Sequence, residues 1–313
     1  MMRFLSLTLI LFISCNGADT NKRENEVTEN SLNEPLILAQ PVLASRFTSL
    51  DDFKSKIQVT YFNNEKGNIS EPKVQLKLRG KKTEILCELK SGLSQADILE
   101  ARDGNLLDKA KLTLRSPYTI RIRKDLKRVF FLARRMREII GHREVAFYDL
   151  ALAFSKHINT PEMAYTNAKD SGEKGYINTF NHVVAQSVLT SFFSKELASF
   201  LADIHERKNM PELTTGHFTA EQLKDTANYP EDNYADIINN TIGQKLGLVL
   251  QKKYKLKRIR QCTPELFANY LNDLQSYLSW SMRIGLKPFR SDDEVVVRFV
   301  YKLNRALNSY NLY

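Results

Sequence analysis

Beyond its first fifteen residues, the 313-residue chain has no apolar run approaching the length of a transmembrane helix. A bundle of membrane-spanning helices is thereby excluded. Cysteine is scarce, at positions 15, 87 and 262, which excludes a disulfide-dense scaffold. Cys87 and Cys262 are far apart along the chain, so the sequence leaves open whether they pair or remain two buried thiols. There is no internal repeat, so no solenoid is expected. Four residues beyond His205 stands Asn209 and not a second histidine, so the His-Glu-x-x-His helix of zinc proteases is absent.

What is present is a hydrophobic content of 42%, a charged content of 26% and a formal net charge of +10, the composition of a soluble globular protein with a basic surface. Such an excess favours anionic lipid head groups, acidic envelope polysaccharide or nucleic acid. At the N-terminus, Arg3 precedes the apolar run Phe4–Ile13, and Ser14-Cys15 closes it. That layout resembles a bacterial lipoprotein signal, with Phe12 standing where leucine is usual. The resemblance implies removal of residues 1–14, acylation of Cys15 and attachment to a membrane of the cell envelope. An ordinary secretory signal with an incidental cysteine is the alternative. In an exported protein, nucleic acid is not an expected partner. The remainder, about 300 residues, is long enough for two compact domains.

Residues 15–45 are rich in Asn, Glu, Thr and Ser and read as a flexible tether. Within an expected domain at 46–125, from about 55 onward the period becomes two: Ile57, Val59 and Tyr61, then Val74, Leu76 and Leu78, then Ile85, Cys87 and Leu89 alternate with polar residues. Leu112 with Leu114, and Tyr118, Ile120 and Ile122, extend the pattern, with a helix inserted over 94–109. This predicts a small antiparallel β-rich domain. Its outward face is basic, through Lys73, Lys77, Arg79, Lys111, Arg115, Arg121 and Arg123, and is either a solvated face or a surface for acidic lipid or glycan. From 126 to 313 helical spacing dominates, and the expected fold class is α+β, with a larger, mainly α-helical domain following the sheet. Expected helices are 126–140, 143–157, 180–192, 195–206, 234–248, 264–285 and 292–309, with Ser194 and Thr263 as N-caps. The polar connection 208–233 has the length of a lid or an unstructured loop.

Three of these helices carry polar residues on stripes that border the interior. His182 and Gln186 are four apart, in line with Leu189 and Phe193. His205 aligns with Ala198, Leu201 and Ala202, which predicts that it faces a close neighbour, and Glu206 follows it. Asp236, Asn239, Asn240, Gly243 and Gly247 form a third stripe. Each glycine there costs about 1 kcal/mol relative to alanine, a cost best understood if another backbone or a ligand approaches closely.

Over residues 176–248 these blocks resemble an uncharacterised bacterial helical domain family bearing Phe-x-His-x-x-x-Asn, His-Glu and Asp-Leu-x-Asn-Asn-x-x-Gly. Here Gln186 replaces the asparagine and Ile237 the leucine. The resemblance implies a shared polar site without specifying a reaction. Three arrangements suit the residues. In one, His182, His205 and Asp236 hold a divalent metal such as zinc, and Glu206 acts as base on a bound water. In a second, His205 oriented by Asp236 is the general base, and Asn239 or Asn240 donates to an oxyanion. Either suits hydrolysis of an envelope substrate. In the third, the polar set is a satisfied buried network that fixes helix packing, and the basic sheet binds an envelope partner.

Overall fold

The computed structural model describes residues 40–62, 73–78, 86–89, 92–135, 144–210, 212, 217–225 and 229–308. Cys15, the signal-like segment, the turns expected at 63–68 and 79–81, and parts of the 208–233 connection lie outside the described residues. The chain runs α1 (Leu50–Lys56), β1 (Ile57–Phe62), β2 (Lys73–Leu78), β3 (Leu86–Glu88), α2 (Gln95–Asp103), α3 (Leu106–Arg115), α4 (Tyr118–Arg121), α5 (Arg123–Ala133), α6 (Phe147–Lys156), α7 (Pro161–Ala164), α8 (Asn178–Phe192), α9 (Lys195–Asn209), α10 (Ala220–Lys224), α11 (Pro230–Lys253), α12 (Pro264–Met282) and α13 (Glu294–Asn308).

The architecture is mainly helical with one small antiparallel sheet, so the expectation of a β-rich domain over 46–125 overstated the strand content. The sheet has order β1-β2-β3, with Val59 opposite Leu76 and Leu76 opposite Cys87. Ile57, Leu76 and Cys87 point into the core from its inner face. The strands expected at Leu112–Leu114 and Tyr118–Ile122 are instead helical, in α3 and α4. A capping box of Asn105 with Asp108 starts α3 and favours the helix that carries Leu112 and Leu114, as one of Ser94 with Asp97 starts α2. The alternation at Leu112 and Leu114 was coincidental, since Leu112 is buried and Leu114 is exposed. The expected basic sheet face is corrected with it, because Lys111, Arg115, Arg121 and Arg123 lie on or beside these helices.

The centre of the molecule is α11, 24 residues long and buried along most of its length. Helices α8 and α9 pack against it and against each other, and α6 covers α8. The glycine expectation is met by backbone: a Cβ on Gly243 would stand 2.5 Å from the Val183 carbonyl oxygen, and one on Gly247 would stand 2.6 Å from that of Ser187. These two positions let α8 approach α11 at backbone distance. Ser194 accepts from the Leu197 amide at the start of α9, and Thr263 accepts from the Leu266 amide at the start of α12, the two caps expected from sequence. Cys87 and Cys262 are both buried free thiols, pushed up to about 12 by burial.

One buried apolar cluster runs from Val42 to Ala306 and joins the sheet to the helices. Its first residues correct the boundary of the tether. Residues 41–45 are buried, because Asn239 accepts from the Val42 amide at 2.8 Å and donates to the Val42 carbonyl at 2.8 Å.

Candidate functional site

The site is built from two facing rows of polar residues with a spacing of four. On α11 the row is Asp232, Asp236, Asn240 and Gln244, and on α8 it is Asn178, His182 and Gln186. Residues four apart stack on one helical face, so the rows meet side by side where the glycines bring the helices together. Asn178 Nδ2 donates to Asp232 Oδ1 at 3.0 Å and to Asp236 Oδ1 at 2.9 Å. His182 Nδ1 donates to Asn240 Oδ1 at 2.9 Å, and its Nε2 faces Asp236 Oδ2 at 3.2 Å. Gln244 donates to Gln186 at 3.1 Å and accepts from Ser199 at 2.8 Å. Lys174, on a single wide helical turn (Glu173–Ile177) ahead of α8, pairs with Asp232.

Helix α9 brings Glu206 to this row. Its Oε1 accepts from Asn240 Nδ2 at 2.9 Å and lies 3.9 Å from His182 Nδ1. Its Oε2 is buried and has no hydrogen-bond partner among the described residues. Leaving a buried carboxylate oxygen unpaired costs about 1–3 kcal/mol or more, so this atom is the least satisfied in the cluster. His182, Glu206 and Asp236 can each present one ligand atom such that all three lie within 4.8 Å of one another. A cavity of about 400 Å³ borders the cluster at Glu206 and Asn240, with Asp203, Ser199, Lys195 and Lys245 also in its wall.

The electrostatics follow from burying three carboxylates near one imidazole. Burial pulls the His182 imidazole down, but the Asp236 charge and hydrogen bond, with Glu206 and Asn240, outweigh it and hold His182 at about 10. Burial and then the Asp236 charge push Glu206 up to about 8, against the opposing influence of His182 and Asn240. The same two causes raise Asp232 to about 6 despite Lys174. The shifts of His182 and Glu206 both favour the protonated forms, an imidazolium at His182 and a protonated carboxyl at Glu206. A divalent cation would displace both protons.

Some of the expected site residues are brought together and others are not. His182, Glu206, Asp236 and Asn240 converge. His205, expected as a metal ligand or general base, is exposed on α9 and stands beside the cluster, with its ring 6.4 Å from that of His182. On α9 the row lining the cavity is Ser199, Ala202, Asp203 and Glu206, with Glu206 about 100° around the helix from His205, and it is Glu206 that joins His182 and Asp236. Asn239, expected as an oxyanion donor, has both ends of its amide engaged by the Val42 backbone and is not part of the cluster. Lys174, Asn178, Asp232 and Gln244 were missed. The period-four row beginning at Asp232 was the signal, hidden because the helix was expected to start at 234.

No protein-family model matches the chain, and no curated protein or solved structure matches it either.

Proposed function

We propose that this chain is a cell-envelope lipoprotein whose helical region carries a buried divalent-metal centre, formed by His182, Glu206 and Asp236, that serves hydrolysis. The observation that carries the reading is the division of labour among the atoms. Other residues engage His182 Nδ1, Asp236 Oδ1 and Glu206 Oε1, so the atoms turned toward one another are Nε2 and Oδ2, which face each other at 3.2 Å, and the orphaned Oε2. Metal-ligating histidines ordinarily donate their other N–H to an oxygen acceptor, which fixes ring and tautomer, and Asn240 does this for His182. One nitrogen and two carboxylate oxygens form a mixed donor set suited to zinc or a related ion. Bound there with an open position, the ion would supply an acidified water or polarise a substrate oxygen. The cavity offers room for a substrate beside Glu206, and Asp203 in its wall would exchange a proton with a substrate held there. The Ser14-Cys15 ending of the leading apolar run supports the envelope location, and the spacing of the three sequence blocks supports one shared site.

A second reading has one observation in its favour: both His182 nitrogens already have partners. There the cluster is a structural network in a non-catalytic envelope lipoprotein.

Metal analysis of the purified protein separates the two. The metal reading expects near-stoichiometric zinc or another divalent ion in wild type, lost in both His182→Ala and Glu206→Gln. The network reading expects no metal in any of them and a large loss of thermal stability in both variants. For the envelope assignment, Cys15→Ser is expected to abolish acylation; acylated, membrane-bound protein persisting after that change would overturn it.

A further inference from the structure

Helix α3 carries three of its four leucines on the outside. At about 100° per residue, Leu106, Ala110, Leu114 and Leu107 fall within one quadrant of the helix. All four are exposed, with Leu114 at 82%, Leu106 at 79% and Leu107 at 70%. The opposite side sends Leu112 into the core. Lys109 flanks the leucine quadrant on one side and Lys111 on the other. The acidic member of this helix, Asp108, accepts the Asn105 amide in the N-terminal capping box and lies 3.7 Å from Lys111. Helix α4 exposes another aliphatic residue, Ile120. Across residues 106–128 eight Lys and Arg stand against two Asp, a concentration of the chain's positive excess.

A helix serving only the core turns its apolar stripe inward, and scattered exposed leucines need no explanation. A contiguous stripe facing water does. Leucines bounded on both sides by lysines are the arrangement of a helix lying in the plane of a membrane interface. The aliphatic side chains enter the boundary between head groups and acyl chains, and the lysine stems bend back to place their ammonium groups among the phosphates. We propose that α3 docks this face into an anionic phospholipid surface. The charge decides for lipid over a second copy of the chain, because two such basic faces would repel each other. The proposal does not depend on a metal at the buried cluster.

The test uses the full chain with Leu107→Trp and with the native Trp280, itself exposed, replaced by Phe, so that the single indole reports from α3. The apolar run Phe4–Ile13 can enter vesicles by itself, which is why the readout is taken at residue 107. With vesicles of phosphatidylcholine containing phosphatidylglycerol, the indole emission is expected to shift to the blue and to be quenched by brominated acyl chains. Leu114→Glu in the same background is expected to abolish both signals. Lys109→Gln with Lys111→Gln, which leaves the leucines in place, should weaken the vesicle response roughly fivefold per lysine. No shift with anionic vesicles overturns the proposal, as does an equal response to phosphatidylcholine alone. A blue shift that needs no vesicles and grows with protein concentration assigns the face to a second copy, which also overturns it.

Discussion

The His182 ring and the Asn240 carboxamide share one hydrogen bond, Nδ1 to Oδ1 at 2.9 Å, and the other end of the same carboxamide holds Glu206 Oε1 at 2.9 Å. One side chain on α11 therefore orients a residue of α8 and a residue of α9. Asn240→Ala releases both. The expected result is a loss of about 10–100-fold in affinity for divalent metal, the usual effect of removing a residue that orients ligands. Competition against a chromophoric chelator measures it. An unchanged affinity would mean that His182 and Glu206 are positioned by other contacts.

His205 provides the counterpart. It is exposed and is not one of the three residues that converge, so His205→Ala is expected to retain metal and to change stability by no more than about 0.5 kcal/mol. Metal analysis and chemical denaturation of the variant check both. Loss of the ion in His205→Ala with retention in His182→Ala would reverse the assignment of the centre.

The helical content, the caps at Ser194 and Thr263, and the close approach at Gly243 and Gly247 were legible because each leaves a local mark. A hydroxyl precedes a helical run, and small residues recur on one stripe. The choice between His205 and Glu206 was not legible. Both lie beside small residues of α9, and the decision belongs to the polar rows of α8 and α11, to which only Glu206 is turned. Asn239 and Asn240 were likewise indistinguishable as neighbours. Their fates depend on Val42, nearly two hundred residues earlier, which engages one of them completely. In α3, the alternation of Leu112 and Leu114 imitated a strand because leucines occupy opposite sides of that helix.

The cluster also predicts how metal-free stability depends on pH. His182 has an ordinary value of 6.5 and stands at about 10 when folded; Glu206 goes from 4.5 to about 8, and Asp232 from 3.8 to about 6. All three shifts are upward, so the folded chain holds more protons than the unfolded chain between those limits, and stability must fall as pH rises. The contribution of His182 is complete below its ordinary value and is lost as pH climbs through the folded one. In the presence of chelator, the thermal midpoint is expected to fall between about pH 6 and about pH 9, and Glu206→Gln to flatten that slope. Metal affinity should rise over the same interval, because the ion must displace the protons on His182 and Glu206. A midpoint that rises with pH in chelator would contradict the electrostatics.

Gly243 couples packing to the site. A Cβ there would meet the Val183 carbonyl oxygen at 2.5 Å and Gln186 Cβ at 2.8 Å, so Gly243→Ala must push α8 away at the residue adjoining His182. The expected cost is about 1–3 kcal/mol, as for overpacking elsewhere, together with weakened metal binding. Gly247→Ala meets Ser187 and Thr190 one turn farther along, so it should cost a similar amount of stability with a smaller loss of metal. Denaturation and chelator competition on the two variants read both quantities, and equal effects on metal would show that α8 moves as a rigid unit.

Lys302 on α13 is a buried ionisable residue outside the site. Its Nζ lies 2.6 Å from Glu144 Oε1, donates to the Val145 carbonyl at 3.0 Å and also reaches the Arg134 carbonyl, so it ties α13 to the end of α5 and the approach to α6. Burial lowers the lysine, and Glu144 opposes that by favouring its charged form. Both side chains are only 1% exposed, so removing one partner strands the other without water. Lys302→Met is expected to destabilise the protein by about 3–5 kcal/mol, the cost of breaking a buried pair. Lys302→Met combined with Glu144→Leu should recover much of that loss, because no uncompensated charge remains, although two backbone carbonyls still lack their donor. Urea denaturation of the single and double variants closes the cycle. A double variant no more stable than the single would place the contribution of Lys302 in its carbonyl hydrogen bonds and not in the ion pair.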